Sequence, residues 1–239
     1  MRPAPLAPER LEQLKQLDSC TIANAIEEFD VRLRNAGFAD SSIRCQFEDF
    51  PPMVGYAATV RIRTTEPPME GHSYFYRLDW LDHVLSIPGP RVVVVEDLDP
   101  QPGLGSFIGE VHASILHALG CVGAVTNGGV RDVPAVRAMN FPLFARNICV
   151  SHGFAHIFDF GKPVEVGHLE VQPGDLIHGD RHGVQTIPFE IVDKVPARAH
   201  RIAEEEQEIV RLCRSADFSL TKLRHAVTSL GVKRQDIKP

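Results

Sequence analysis

The apolar positions of this chain change their period twice. Near the start Leu11, Leu14 and Leu17 recur at helical spacing, and Ser19 is expected to cap a second helix carrying Ile22, Ile26 and Phe29. Residues 30–53 are polar and irregular. Residues 54–64, VGYAATVRIRT, shift to a period of two. Val60, Ile62 and Thr64 alternate with Arg61 and Arg63, which predicts a strand with one wet face. RVVVVED (91–97) is β-branched almost without a break, the mark of a strand covered on both faces. A loop with Pro100, Pro102, Gly103 and Gly105 follows. Next comes a helix over about 110–119, with Val111, Ile115, Leu116 and Leu119 as its stripe and Gly120 as its stop. VGAVTN (122–127) predicts a further strand. The three make a βαβ unit, which requires parallel pairing and a right-handed crossover. NGGVRD then reads as a tight turn, DVPAVRAMN as a short helix and FPLFARN (141–147) as a third strand.

Residues 163–194 alternate aliphatic and polar positions between glycines and prolines. They predict several short strands with turns at Pro173-Gly174-Asp175 and His182-Gly183. From Pro196, a suitable first helical residue, the helical period returns on Ala199, Ile202, Ile209, Val210 and Cys213. It fades after about residue 230. The expected class is α/β, in one domain over 1–239 with a helical tail of about 196–239.

Composition narrows the function classes. Lys and Arg number 25 against 31 Asp and Glu, a net charge of −6, which disfavours a nucleic-acid surface. No apolar run nears the roughly 18–20 residues that span a bilayer, and MRPAPLAPERLEQLKQL lacks the apolar core of a secretory signal. The cysteines (Cys20, Cys45, Cys121, Cys149 and Cys213) are scattered and form no C-x-x-C pair, so a reducing, cytoplasmic setting without a zinc ribbon is expected.

The βαβ unit focuses the chemistry. Ligands of such units collect beyond the carboxyl ends of the strands. Arg131 and Asp132 lie just past one such end, and the helix opening at Gly109-Glu110 starts at the same edge. The first-turn amides of Val111 and His112 would hold a carboxylate. Arg131 would clamp it, and Asp132 is a hard oxygen ligand for Mg²⁺ or Mn²⁺. Each residue also has a plainer reading: Asp132 as an N-cap, Glu110 as a first-turn acid favoured by the helix dipole, and Gly128-Gly129 as a turn needing positive φ. Other motifs point elsewhere with less force. His152 and His156 have the i, i+4 spacing of a metal pair, but HGFAH lacks the glutamate of H-E-x-x-H. His178 and His182 flank Gly179-Asp180-Arg181. Tyr74, Phe75, Tyr76 and Trp80 suit a core or a subunit contact. GLGSFIGE departs from G-x-G-x-x-G, which argues against a dinucleotide site.

The stretch GEVHASILHALGCVGAVTNGGVRDVPAV resembles the RraA-like family, which includes 4-hydroxy-4-methyl-2-oxoglutarate aldolases (HMG/CHA type). Aldolase members carry an acid, twenty residues and then Arg-Asp, as Glu110 and Arg131-Asp132 do here. EVGHLEVQPGDLIHGDRHGVQTIP is similar to a second family segment, so the resemblance spans about 15–215. It implies a layered α/β/α sandwich with a swivelling β/β/α core. It also implies a trimer or hexamer and a metal-dependent lyase that cleaves a C–C bond of a 2-oxo acid, with oxaloacetate decarboxylation as a related activity. In the site so implied, Asp132 ligates the cation through a water-rich shell and Arg131 binds the pyruvyl part. The turn from Gly109 through Val111 and His112 holds the carboxylate. Glu110 positions a water that serves as acid or base, and Glu206 reaches the metal from a neighbouring subunit. Glu206 is expected within the apolar stripe of its helix, with Glu205 and Glu208 as rivals. Two places depart from the family pattern: Ala135, where an acid is common, and the aromatic-rich stretch 69–85. The alternative the family offers is a non-catalytic regulator of a ribonuclease, acting by protein contact. A methyltransferase reading finds no nucleotide-cofactor loop to support it.

Overall fold

The computed structural model describes residues 4–68 and 77–235. Its elements run α1 (Pro8–Lys15), α2 (Ser19–Glu27), β1 (Arg44–Cys45), β2 (Met53–Arg63), α3 (Asp79–Ser86), β3 (Arg91–Asp97), β4 (Ser106–Ile108), α4 (Glu110–Ala118), β5 (Cys121–Val130), α5 (Val133–Ala138), β6 (Leu143–Ile148), β7 (His156–Phe160), β8 (Val164–Val166), β9 (Leu169–Val171), β10 (Leu176–Asp180), β11 (Gly183–Ile187), α6 (Val195–Cys213) and α7 (Leu220–Gln235). One mixed sheet has the order β1-β6-β5-β3-β2-β10-β11, with β4 added to the end of β5 and β7 to the end of β2. β2, β3, β5 and β6 are mutually parallel, as the βαβ reading requires. β2 bears β10 on its first half and β7 on its second.

The fold is α/β with a β/β/α core. On one face the apolar sides of α1, α2, α3, α4, α5 and α6 pack against the sheet, with Leu14, Ile22, Trp80, Leu116, Val136 and Ile202 among the buried residues. On the other face the β8–β9 hairpin lays Val164, Val166, Leu169 and Val171 over Val92, Val94 and Val125. That double cover is why Val92 to Val95 are all fully buried. Beyond Val60 the pattern relaxes, and Arg61 and Arg63 are half-exposed beside buried Ile62. No helix among the described residues is long and apolar enough to cross a membrane.

Several local expectations need correction. The cap of α2 is Asp18, not Ser19. Asp18 is extended and accepts from Thr21 N–H at 2.9 Å, so Ser19 becomes the first helical residue. NGGVRD is not a tight turn, because β5 runs through Gly128 and Gly129 to Val130 and pairs with both β4 and β6. Neither glycine has positive φ. A Cβ on Gly129 would lie 2.7 Å from the Cys149 sulfur, so close packing rather than turn geometry requires glycine there. α3 and β4 are elements the periodicity did not reveal. The aromatic cluster divides: Trp80 is core, whereas Tyr74, Phe75 and Tyr76 lie outside the described residues, as do residues 69–73 of the departing stretch.

Candidate active site

A cleft of about 210 Å³ opens beyond the carboxyl ends of β4 and β5. It is lined by Ser106, Phe107, Gly109, Val111, His112, Arg131, Asp132 and His152. Its walls are built from the loop upstream. Asp97, at the end of β3, accepts from Gly103 N–H at 2.8 Å and Asp99 N–H at 3.1 Å. Asp99 accepts from Thr64 N–H (2.7 Å), the Thr64 hydroxyl (2.9 Å) and Thr65 N–H (2.9 Å). Two buried aspartates therefore fold residues 98–105 and deliver β4 to the edge of β5. Burial pushes the Asp97 carboxyl up to about 6. Burial acts on Asp99 too, but its hydrogen bonds from Thr64 and Thr65 outweigh it and hold that carboxyl below the ordinary range.

From β4 the chain passes through Gly109 into α4. A helix has no i−4 partners for its first-turn N–H groups. In α4 the Glu110 N–H donates to Asp132 Oδ2 at 3.1 Å, across twenty-two residues of sequence. Asp132 occupies the N-cap position of α5 in the left-handed region (φ 53°, ψ 32°), yet its side chain does not cap that helix. It serves α4 instead, and Arg131 Nε stands 3.4 Å from the same oxygen. The contact is tight: a Cβ at Gly109 would fall 2.6 Å from Asp132 Oδ2 and 3.0 Å from Arg131 Cγ. Val111 is exposed at the lip of the cleft. His112 is buried, with Nδ1 donating to the Phe107 carbonyl at 2.6 Å and its ring 4.3 Å from the Phe107 ring. Trp80 meets both rings edge-on. Burial lowers the His112 pKa to about 4, so the imidazole is neutral at pH 7.

The structure thus brings Gly109, Val111, His112, Arg131 and Asp132 to one cleft. Glu110 is placed differently: its backbone joins the contact, while its side chain is exposed and does not line the cleft. The expected place of Glu206 in the α6 stripe is wrong. Glu205 is the residue turned inward, accepting from Arg201 Nη1 at 2.7 Å, whereas Glu206 is exposed and accepts from Asn24 Nδ2 at 3.4 Å. Spacings of i+3 and i+4 from Ile202 both fit the stripe, and packing takes the first. His152 and His156 form no helical pair, since one lies in a loop and the other opens β7. His152 nevertheless reaches the cleft rim. Ser106, Asp97 and Asp99 also escape the sequence reading, although Asp-x-Asp-Pro after a buried strand is a turn-forming signal.

As a metal ligand Asp132 is suitable. Oδ2 is engaged by Glu110 and Arg131, which leaves Oδ1 for a hard divalent cation. Mg²⁺ is commonly held by one or two carboxylates plus water and substrate. Among the described residues the cleft offers no cluster of three ligating side chains, so a cation there would rely on water and substrate oxygens.

Comparison with known proteins bears on the whole frame. The model of the RraA-like family, described as Aldolase/RraA, matches residues 19–185. An uncharacterized protein of Methanocaldococcus jannaschii is 35% identical over 109 residues, covering 41% of this chain and 49% of its own length. A protein of Halalkalibacterium halodurans, provisionally named a 4-hydroxy-4-methyl-2-oxoglutarate aldolase, is 36% identical over 84 residues, or 35% of this chain and 40% of its own. The match therefore spans about half or less of these relatives. The crystal structure of RraAS2 from Streptomyces coelicolor, an unusual member of the RNase ES inhibitor RraA protein family, superposes with a TM-score of 0.67 at 21% identity. It covers 87% of this chain and 99% of that one, a likeness of fold.

Proposed function

This chain belongs to the RraA-like family, and from that premise we propose that its cleft is the active site of a divalent-metal-dependent lyase. The reaction is cleavage of a C–C bond of a small 2-oxo acid to release pyruvate, with a 4-hydroxy-4-methyl-2-oxoglutarate-like compound or oxaloacetate as substrate. The observation that carries the reading is the convergence of Arg131, Asp132 and the first turn of α4, fixed by the hydrogen bond from Glu110 N–H to Asp132.

Breaking the bond next to a 2-oxo acid drives negative charge onto the keto oxygen. The Arg131 guanidinium is a fixed positive charge at the cleft, so it stabilises that oxygen more as its charge grows. The helix start offers amides and a partial positive charge to the substrate carboxylate. The rings of neutral His112 and Phe107 wall one side, backed from the core by Trp80. Asp132 would hold Mg²⁺ or Mn²⁺, which when bound supplies Lewis-acid stabilisation of the same charge. Glu110, exposed at the start of α4, would orient a water that takes or gives the proton, a contribution of about 10²- to 10⁴-fold. Leu104, Val111, Ile148, Val150 and Phe154 are exposed apolar residues. They suit a homo-oligomer in which a neighbouring copy completes the rim, with Glu206 as the proposed incoming carboxylate.

The test is pyruvate release from both substrates with and without Mg²⁺, in the wild type and in Asp132→Asn. Asparagine keeps the left-handed backbone and an acceptor for Glu110 N–H but removes the charge. We expect metal-dependent turnover that falls at least about a hundredfold in the variant. Undiminished turnover would refute this site. A wild-type protein inert toward 2-oxo acids would favour the ribonuclease-regulator alternative.

A further inference from the structure

A second constellation lies at the opposite end of the sheet's strands, where the start of α2 meets the β10–β11 turn. We propose that Asp18, Cys20 and His182 bind a divalent transition-metal ion of the zinc class there, independently of the cleft. One ligating atom from each residue lies within 4.8 Å of the others, and all three side chains are exposed.

The donor set identifies the ion. A thiol, an imidazole and a carboxylate together suit zinc and its neighbours, whereas Mg²⁺ and Ca²⁺ prefer oxygen alone. Donor atoms around a tetrahedral zinc stand about 3.6 Å apart for bonds of about 2.0–2.3 Å. The three groups would close by at most about 1.2 Å, which exposed side chains achieve by small rotations. Three protein donors leave a fourth position for water or another small ligand.

The frame beneath these donors is held by buried hydrogen bonds. Ser19, between two of them, donates its N–H to Asp180 Oδ2 at 2.8 Å. Its hydroxyl pairs with His178 Nδ1 at 3.1 Å, and its carbonyl accepts from Gln185 Nε2 at 2.7 Å. His178 is fully buried and also donates through Nε2 to the Leu17 carbonyl, so it is a strut and not a ligand. Asp18 is pinned by Thr21 N–H and by the Thr21 hydroxyl at 2.7 Å, and its carboxylate retains lone pairs. His182 is oriented by a buried carboxylate: Asp180 Oδ1 accepts its Nδ1–H at 3.1 Å and its backbone N–H at 2.8 Å. With Nδ1 protonated, Nε2 carries the lone pair that a cation takes. A carboxylate behind a ligating histidine is the usual outer support of a zinc site. Partial burial, with Asp18 and Asp180 nearby, raises the Cys20 pKa. An ion bound there would release the thiol proton.

The experiment is a Co²⁺ titration of the EDTA-stripped full-length protein, read by the thiolate-to-cobalt charge-transfer absorption. We expect one thiolate-bound Co²⁺ per chain, displaced by Zn²⁺. The band should disappear in Cys20→Ser, weaken about tenfold or more in affinity in His182→Ala, and persist in Asp132→Asn and Cys213→Ser. Thermal melts check that the exposed Cys20→Ser and His182→Ala variants stay folded. Absence of the band in the wild type, or its persistence in Cys20→Ser, would overturn the proposal. Its failure would leave the cleft reading untouched, because that reading is tested by pyruvate release.

Discussion

Two aspartates do the same small task at opposite ends of the sheet's strands, with different consequences. Asp180 Oδ2 accepts the N–H of Ser19, the first residue of α2, at 2.8 Å, and Asp132 Oδ2 accepts the N–H of Glu110, the first residue of α4, at 3.1 Å. In each case a carboxylate from a distant segment satisfies an orphan amide at a helix start. Asp180 is buried, and its other oxygen is taken by His182. Burial opposes its charge, but the donors from Ser19 and His182 win and hold its pKa below the ordinary range. Asp132 has a side chain 39% exposed, and one oxygen remains for a cation at a cleft. The same device is closed where its bonds are all taken and leaves an open acceptor where one is left over.

The sharpest way to break this comparison is to remove each acid in turn. Asp132→Asn should lower pyruvate release at least about a hundredfold and barely move the urea midpoint. Asp180→Ala should do the reverse. It leaves Ser19 and His182 N–H groups unpaired, so unfolding free energy should fall by about 2–3 kcal/mol, with turnover kept in the folded fraction. Loss of turnover in both variants would mean that the two corners are not separable.

Next in size is a pair of opposed pH effects behind the cleft. Asp97 is raised from an ordinary 3.8 to about 6, so the folded state holds a proton that the unfolded state gives up; stability falls as pH climbs from about 4 to about 6. His112 is lowered from 6.5 to about 4, so the unfolded state takes up the proton first; stability falls as pH drops from about 6.5 to about 4. Each effect is worth about 3 kcal/mol across its window. In the wild type these two contributions largely cancel each other. In Asp97→Asn the histidine slope should emerge, with stability rising with pH. In His112→Asn the aspartate slope should emerge with the opposite sign. Parallel slopes in the two variants would contradict the assignment.

The smallest expected effect is that of Gly109→Ala. The added methyl would press on Asp132 Oδ2 and Arg131. Turnover should drop about tenfold, and unfolding free energy by about 1–2 kcal/mol.

Much of this frame is legible in the sequence because the signals are local. The β-branched run 91–97 and the stripe on Leu116 announce β3 and α4, and Arg131-Asp132 falls just past a strand end, where the cleft opens. What stays hidden is non-local or too short. β4 has three residues, too few to show a period. Gly128-Gly129 mimics a turn, while its cause is the approach of Asp97 and Cys149 from other elements. The choice between Glu205 and Glu206 depends on how α6 rotates against α2, which neither i+3 nor i+4 spacing settles. No local pattern tells that Asp132 caps someone else's helix.

The left-handed backbone at position 132 narrows what drift can do there. For most side chains that conformation costs about 1–2 kcal/mol, with asparagine, aspartate and glycine as the tolerated residues. On the proposed lyase reading, only aspartate of the three also brings the charge a cation needs. A descendant that lost the proposed activity while keeping its shape would have few exits, and asparagine or glycine at this place would be the scar it carries.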